Sequence, residues 1–344
     1  MFTLRQYLTT LADTHGLTRT LGEIEVCRDG KGRICYSAGN SAVVFRIRCE
    51  GRVRSLRCYM HHPRHLAEIY GEKLLPQELF IYTSPAGGVW VDVVLSDWIE
   101  GVTLHEAVAA AAEAGDTARL RRFAAAFDRM AAALTADDWA HGDLKPENII
   151  VGDDGTLCPI DFDASYLPAF AGEISPELGT AAYQHPARTA ADFDERIDDY
   201  PAALISTALH ALAEDPTLWD RYGSSDGLLY TPQRIASDPA YRETLALFEK
   251  RGMAVQYRIA QLLTAPTLRL FGLAELLAEA VREKPAARSG TEAETPELFV
   301  ENGRWGYRTA ERVVVAPLYD NGFDFTEGLA AVQLGGTWHY IDTA

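Results

Sequence analysis

The stretch HGDLKPENII, residues 141–150, restricts what this chain can fold into more than any other. It sets His141, Asp143, Lys145, Glu147 and Asn148 directly before the apolar pair Ile149–Ile150. A polar run that enters a strand is either an ordinary turn or a place where charge is handled. A second short run, PIDFDAS, follows the turn Asp153–Asp154–Gly155 and carries Asp161. A strand–turn–strand pair would bring Asn148 and Asp161 side by side. Phosphoryl transfer needs an oriented nucleophile, held metal ions and gripped phosphates. Asp143 can accept a hydroxyl proton, and Lys145 can neutralise the moving phosphoryl group. Asn148 and Asp161 are hard oxygen ligands of the kind Mg²⁺ takes.

The surroundings of this stretch predict an α+β chain. EIEVCRDGKGRICYS reads as a hairpin around Asp29–Gly30, and AVVFRIRCEGRVRSLRCYM as another around Glu50–Gly51. RHLAEIYGEKLL predicts a short helix, and LFIY and VWVDVVL two more strands. From about residue 103 the chain turns Ala-rich and helical. A sheet-rich first third followed by helices is a two-lobed pattern. Residues 1–21 predict an amphipathic helical extension with Leu4, Tyr7, Leu8 and Leu11 on one face, not a signal peptide. KPAARSGTEAETP, residues 284–296, has the composition of a flexible linker. Residues 297–344 are strand-like and echo themselves, NGRWGY against GGTWHY.

Composition narrows the function classes. Apolar residues make up 47% of the chain, enough for a sizeable core. No long uninterrupted apolar run occurs, so no membrane span is expected. A net charge of −17 repels phosphate backbones and argues against nucleic acid as a partner. Cys27, Cys35, Cys49, Cys58 and Cys158 are odd in number and form no C-x-x-C pair. They predict reduced thiols in a cytoplasmic protein.

HGDLKPEN resembles the catalytic loop H-R-D-L-K-P-x-N of eukaryotic-type protein Ser/Thr kinases, and DFD stands where that family has D-F-G. The resemblance covers about residues 22–283 and is densest over 139–200. It implies a two-lobed protein-kinase-like fold, with a β-rich small lobe over 22–97 and a helical large lobe over 102–283. It implies Mg²⁺-dependent transfer of the ATP γ-phosphate to a Ser or Thr hydroxyl of a protein substrate. Asp143 and Lys145 take the catalytic positions, and Asn148 and Asp161 the metal positions. LSDWIEG resembles the segment that binds adenine through its backbone, with Asp97 and Ile99 at the contributing positions. SAGNSAVV, Ser37 to Val44, stands at the phosphate-covering loop and keeps Gly39 and Val44. Arg57 in VRSLRCY stands where the family has its phosphate-gripping Lys, with Glu68 as the expected partner and Glu72 next. ELGTAAYQHPA resembles the end of the activation segment, and Asp199 the residue that braces the catalytic loop. Gly142 stands where the family often has Arg, which implies weak switching by phosphorylation of that segment.

Two departures keep other readings open. If Arg57 does not grip phosphate, the fold implies a pseudokinase that binds nucleotide as a scaffold. Aminoglycoside-kinase-type small-molecule phosphotransferases share H-G-D-x-x-x-x-N, although Lys145–Pro146–Glu147 fits the protein kinases better. The end of the chain resembles WG-repeat modules, through Trp305–Gly306, Pro317, Tyr319–Asp320 and Phe325 to Ala330. That resemblance implies a module that binds a protein partner and carries no chemistry of its own.

Overall fold

A computed structural model of the chain describes residues 1–282, except 40, 62, 85, 86 and 226, and 296–342, except 302, 310, 311, 324–328 and 336. The chain divides into two compact units, Met1–Glu283 and Lys284–Ala344. Residues 284–295 of the expected linker lie outside the described residues. The fold is α+β: an antiparallel sheet, then a helical body, then C-terminal strands.

The first unit opens with α1 (Leu4–Ala12), β1 (Glu25–Val26), β2 (Tyr36–Ala38), β3 (Ala42–Cys49), β4 (Arg52–Tyr59), α2 (Leu66–Tyr70), β5 (Leu74–Ser84) and β6 (Gly87–Asp97). The strands form one antiparallel sheet in the order β1-β3-β4-β6-β5, with β2 also on β3. Glu50 and Gly51 join β3 to β4 with φ of 49° and 75°. Two positive φ values in a two-residue loop match the right-handed twist of the strands it joins. Side chains alternate across the sheet. Val43, Phe45, Ile47, Leu56, Cys58 and Val93 are buried with Tyr7 and Leu11 of α1. The opposite face carries Val44, Arg57 and Val94 in one row.

That burial makes α1 part of the sheet's core and not an appendage. Thr3 and Gln6 cap it reciprocally. Tyr7 donates its hydroxyl to the Tyr59 carbonyl at 2.5 Å, and Thr10 donates to the Phe80 carbonyl at 3.1 Å. The chain after α1 is fixed by Glu78, whose buried carboxylate accepts the N–H groups of Arg19, Thr20 and Leu21 at 2.8–3.0 Å.

The helical body holds β7 (Val102–Thr103), α3 (Leu104–Glu113), α4 (Thr117–Ala136), β8 (Ile149–Val151), β9 (Leu157–Pro159), α5 (Asp199–Glu214), α6 (Leu218–Tyr222), α7 (Pro239–Arg251), α8 (Ala254–Leu262) and α9 (Leu273–Arg282). α5 is buried along its length apart from His210 and Glu214, and it sits among α4, α7 and α8. α4 presents Leu120, Phe123, Phe127, Ala131 and Leu134 at helical spacing to the same core. β7, β8 and β9 form a small separate sheet. At Gly101 an added Cβ would lie 2.2 Å from the Val151 carbonyl oxygen, so only glycine lets the chain enter β7 this close to β8. Among the described residues no helix is long and apolar enough to cross a membrane. All five cysteines are free.

The second unit contains β10 (Glu297–Glu301), β11 (Arg304–Arg308), β12 (Val313–Tyr319), β13 (Asn321–Gly322), β14 (Leu329–Leu334) and β15 (Thr337–Asp342), paired as two three-stranded antiparallel sheets. Tyr307, Ala330 and Val332 form its core, with Leu298, Val315, Tyr319 and Ile341 against it. Trp305 is only half-buried. A Cβ at Gly306 would lie 2.7 Å from the Val315 carbonyl oxygen, which explains glycine after that tryptophan. Of the expected turn from Phe325 to Ala330, residues 325–328 lie outside the described residues.

Replacing a buried aromatic by alanine removes apolar burial and leaves a cavity. Tyr7→Ala is expected to cost about 3–5 kcal/mol in urea unfolding of the whole chain. A loss well under about 1 kcal/mol would show that α1 is peripheral after all.

Candidate functional site

The loop 141–148 is held from inside the protein. Asp198, at the start of α5, accepts the backbone N–H groups of His141 and of Gly142, the latter at 3.0 Å. Burial pushes the Asp198 carboxyl up, while the neighbouring His141, the two N–H groups and the charge of Arg188 pull it down. His141 lies 2.8 Å through Nε2 from the Ile160 carbonyl oxygen. A carbonyl only accepts, so Nε2 carries the proton and Nδ1 accepts from Asp143 N–H at 3.4 Å. The bracing carboxylate is thus Asp198, not the expected Asp199. One residue further along the helix turns the side chain about 100°. Asp199 accepts from Leu270 N–H at 3.1 Å instead.

Gly142 has φ of 81°, and a Cβ there would lie 2.0 Å from the Ala164 carbonyl oxygen. An arginine could not stand at this position without moving the backbone. A cation reaches the loop from elsewhere: Arg188 donates through Nη1 to the Gly142 carbonyl at 3.1 Å and also to Gln184. Gly179, at φ of 71°, brings the downstream segment close, because a Cβ would lie 3.0 Å from Asp143 Oδ1.

Asp143 is the meeting point. Its Oδ1 accepts Thr180 N–H at 2.6 Å. Its Oδ2 lies 3.1 Å from Asn148 Nδ2 and 3.0 Å from Lys145 Nζ. Lys145 also donates to Thr180 Oγ1 at 2.7 Å. Asn148 gives Nδ2 to the Asp143 carbonyl too, at 2.9 Å, so Oδ1 is the atom it would offer a cation. Asn148 lies opposite the β9 end of the hairpin, with Ile160 N–H on its carbonyl at 2.8 Å. The next residue is Asp161, which has φ of 69°. Left-handed backbone at a non-glycine residue costs of order 1–3 kcal/mol and persists only where its surroundings enforce it.

Arg57 lies across from Asp161. Its Nη2 donates to Asp161 Oδ1 and, at 2.5 Å, to Asp163 Oδ2, which also accepts Nε at 3.0 Å. Burial opposes the guanidinium charge, but Asp161 and Asp163 outweigh it and hold the group protonated. The expected partner Glu68 does not take part. α2 is a five-residue helix, and Glu68 and Glu72 are both exposed. Tyr70, from the end of the same helix, reaches the cluster and donates to Asp163 Oδ1 at 2.6 Å. Partial burial, then the charges of Asp163, Asp161 and Asp143, push the Glu177 carboxyl up.

The remaining expected residues are more spread out. Val44 is half-buried and in register with Arg57. Gly39 is exposed at the tip of the β2–β3 hairpin, where its N–H bonds the Ala42 carbonyl at 2.9 Å. Asp97 ends β6 with a carboxylate 86% exposed, 3.2 Å from Arg54 Nε. Ile99 is half-buried in the link from β6 to β7. Arg46, on the Arg57 face of β3, pairs with Glu100 and lies 5.2 Å over the Trp98 ring, which fastens that link. Asp163, Tyr59, Tyr70, Asp198 and Arg188 were not foreseen from the sequence as parts of the site. The second acid of DFD was the one available signal for Asp163.

Burial pushes the Asp199 carboxyl up to about 6 from 3.8. A carboxyl with a raised folded value stabilises the fold when protonated. Its contribution is full below the unfolded value and is lost as pH rises through about 6. Asp199→Asn is therefore expected to flatten the stability profile between about pH 4 and about pH 6, measured by urea unfolding across that range. At Gly142 a single methyl is enough to test the close approach. Gly142→Ala is expected to cost about 2–4 kcal/mol, and full retention of the thermal midpoint would refute the contact with Ala164.

No curated protein matches the chain. A family model described as a WG containing repeat matches residues 308–338, so the C-terminal unit carries that module.

Proposed function

We propose that residues 22–283 are a two-lobed protein-kinase-like domain, with the N-terminal extension 1–21 packed on its sheet through α1, followed by the linker 284–296 and the module 297–344. The protein is a cytoplasmic Ser/Thr kinase that moves the γ-phosphate of ATP to a protein hydroxyl with Mg²⁺. The observation that carries this reading is the convergence on Asp143. Lys145, Asn148 and Thr180 all contact it, and Asp161 follows Ile160, whose N–H bonds the Asn148 carbonyl.

The residues fit the proposed metal. Asn148 and Asp161 are hard oxygen donors, and the Asn148 amide is turned so that its oxygen is the one offered. Among the described residues no three His, Cys, Asp or Glu side chains gather into a self-sufficient metal site. Mg²⁺ held through one or two protein ligands and substrate phosphates does not need one. Bound there, it would neutralise charge on the phosphates. In the proposed reaction Asp143 orients the acceptor hydroxyl and takes its proton. Lys145 neutralises the phosphoryl group as it moves. Arg57, in the Lys position, grips the phosphates beneath Gly39 and Val44. Asp97 and Ile99 offer backbone groups to adenine. The WG-repeat module supplies a surface for a protein partner.

One observation favours a second reading. Arg57 is already shared between Asp161 and Asp163, so the phosphate-gripping residue and a metal ligand neutralise each other. On that reading the chain is a pseudokinase scaffold. The small-molecule phosphotransferase reading keeps the same loop but a different acceptor. Turnover of Mg-ATP with a generic protein acceptor separates them. Asp143→Asn is expected to lower the rate by about 10²–10⁴-fold. Equal rates for the two proteins, with nucleotide bound, would leave the scaffold. Transfer to aminoglycosides and none to proteins would leave the small-molecule enzyme.

A further inference from the structure

Asp163 stands where the resembled family has glycine, yet its side chain is one of the best-held groups in the site. It is 4% exposed, and both oxygens are engaged. Oδ2 accepts Arg57 Nε at 3.0 Å and Nη2 at 2.5 Å. Oδ1 accepts the Tyr59 hydroxyl at 3.0 Å and the Tyr70 hydroxyl at 2.6 Å. A buried carboxylate is tolerated when it is paired and fully hydrogen-bonded, and this one is both. One hydroxyl comes from β4 and the other from α2, so the carboxylate is held from two elements. Arg57 is fixed in turn, through one edge of its guanidinium. The bonds to Asp161 and Asp163 use Nε and Nη2.

We infer that Asp163 is the positioning residue for Arg57, holding Nε and Nη2 so that Nη1 serves the phosphates of a nucleoside triphosphate. This is the task that Glu68 was expected to perform, and the inference rests on the phosphotransfer reading. The chemistry explains why the two departures from the family occur together. A lysine has one nitrogen, which would be divided between a carboxylate beside it and a phosphate beyond. Arginine has three nitrogens on a rigid fork, so one edge can be anchored while the other binds. An aspartate at 163 therefore suits arginine at 57, and a glycine at 163 suits lysine.

The test is a titration of the full-length protein with Mg-ATP, with thermal midpoints recorded alongside. Asp163→Asn, which keeps the size and removes the charge, is expected to raise the Kd at least tenfold. Arg57→Lys is expected to weaken binding as well. The double variant Arg57→Lys with Asp163→Gly is expected to bind at least fivefold more tightly than Arg57→Lys alone. Rescue of this kind cannot come from a merely structural role, since both changes remove packing. Wild-type affinity in Asp163→Asn, or a double variant no better than Arg57→Lys, would overturn the positioning role and leave the phosphotransfer reading standing. A wild-type protein that binds no Mg-ATP would overturn that reading, and this inference with it.

Discussion

The Asp198 carboxylate takes the backbone N–H groups of His141 and Gly142 inside the helical body, and the rest of the site is laid out from there. A buried carboxylate needs donors, and a tight loop has N–H groups that need acceptors, so each satisfies the other. With those two N–H groups fixed, Asp143 emerges at a set angle. His141 closes the other side by donating to Ile160, which ties the loop to the strand that leads into Asp161. Two stretches that are distant along the chain are thereby held in one frame by backbone groups. The side chains of the site project from that frame.

Much of that frame was legible because it rests on local chemistry. The polar run ending in Ile149–Ile150, the turn at Asp153–Gly155 and the short second strand are near neighbours in sequence, and they pair as a hairpin. The Glu50–Gly51 turn and the Trp305–Gly306 pair are local in the same way. The misreadings of Asp199 and Glu68 concern direction. Asp198 and Asp199 are adjacent acids at the start of one helix, and nothing local says which points at the loop. Glu68 carries the right charge, but a helix of five residues has too few turns to aim it, and Tyr70 fills the place. Partners such as Arg57 and Asp163, 106 residues apart, become visible only once the chain is folded.

Arg57 also explains why two readings of the site can share the same geometry. Its charge faces two carboxylates, one nearly buried and one 38% exposed. The buried partner loses more by giving up the arginine, since it would be left as an uncompensated charge. The more exposed Asp161 can be resolvated. The cluster is therefore asymmetric, with a fixed half at Asp163 and an exchangeable half at Asp161. An incoming cation or phosphate would compete for the exchangeable half.

Gly142 bears on how such a chain could change over generations. Its backbone sits so close to Ala164 that any side chain would strike a carbonyl oxygen, and a carbonyl cannot be substituted away. A single codon change that placed a cation at 142 would damage the loop before it could serve any purpose. An arginine at that point would require the turn that carries Ala164 to shift first. The cation that does meet the loop, Arg188, touches only the Gly142 carbonyl and so asks for no room at the Gly142 Cα.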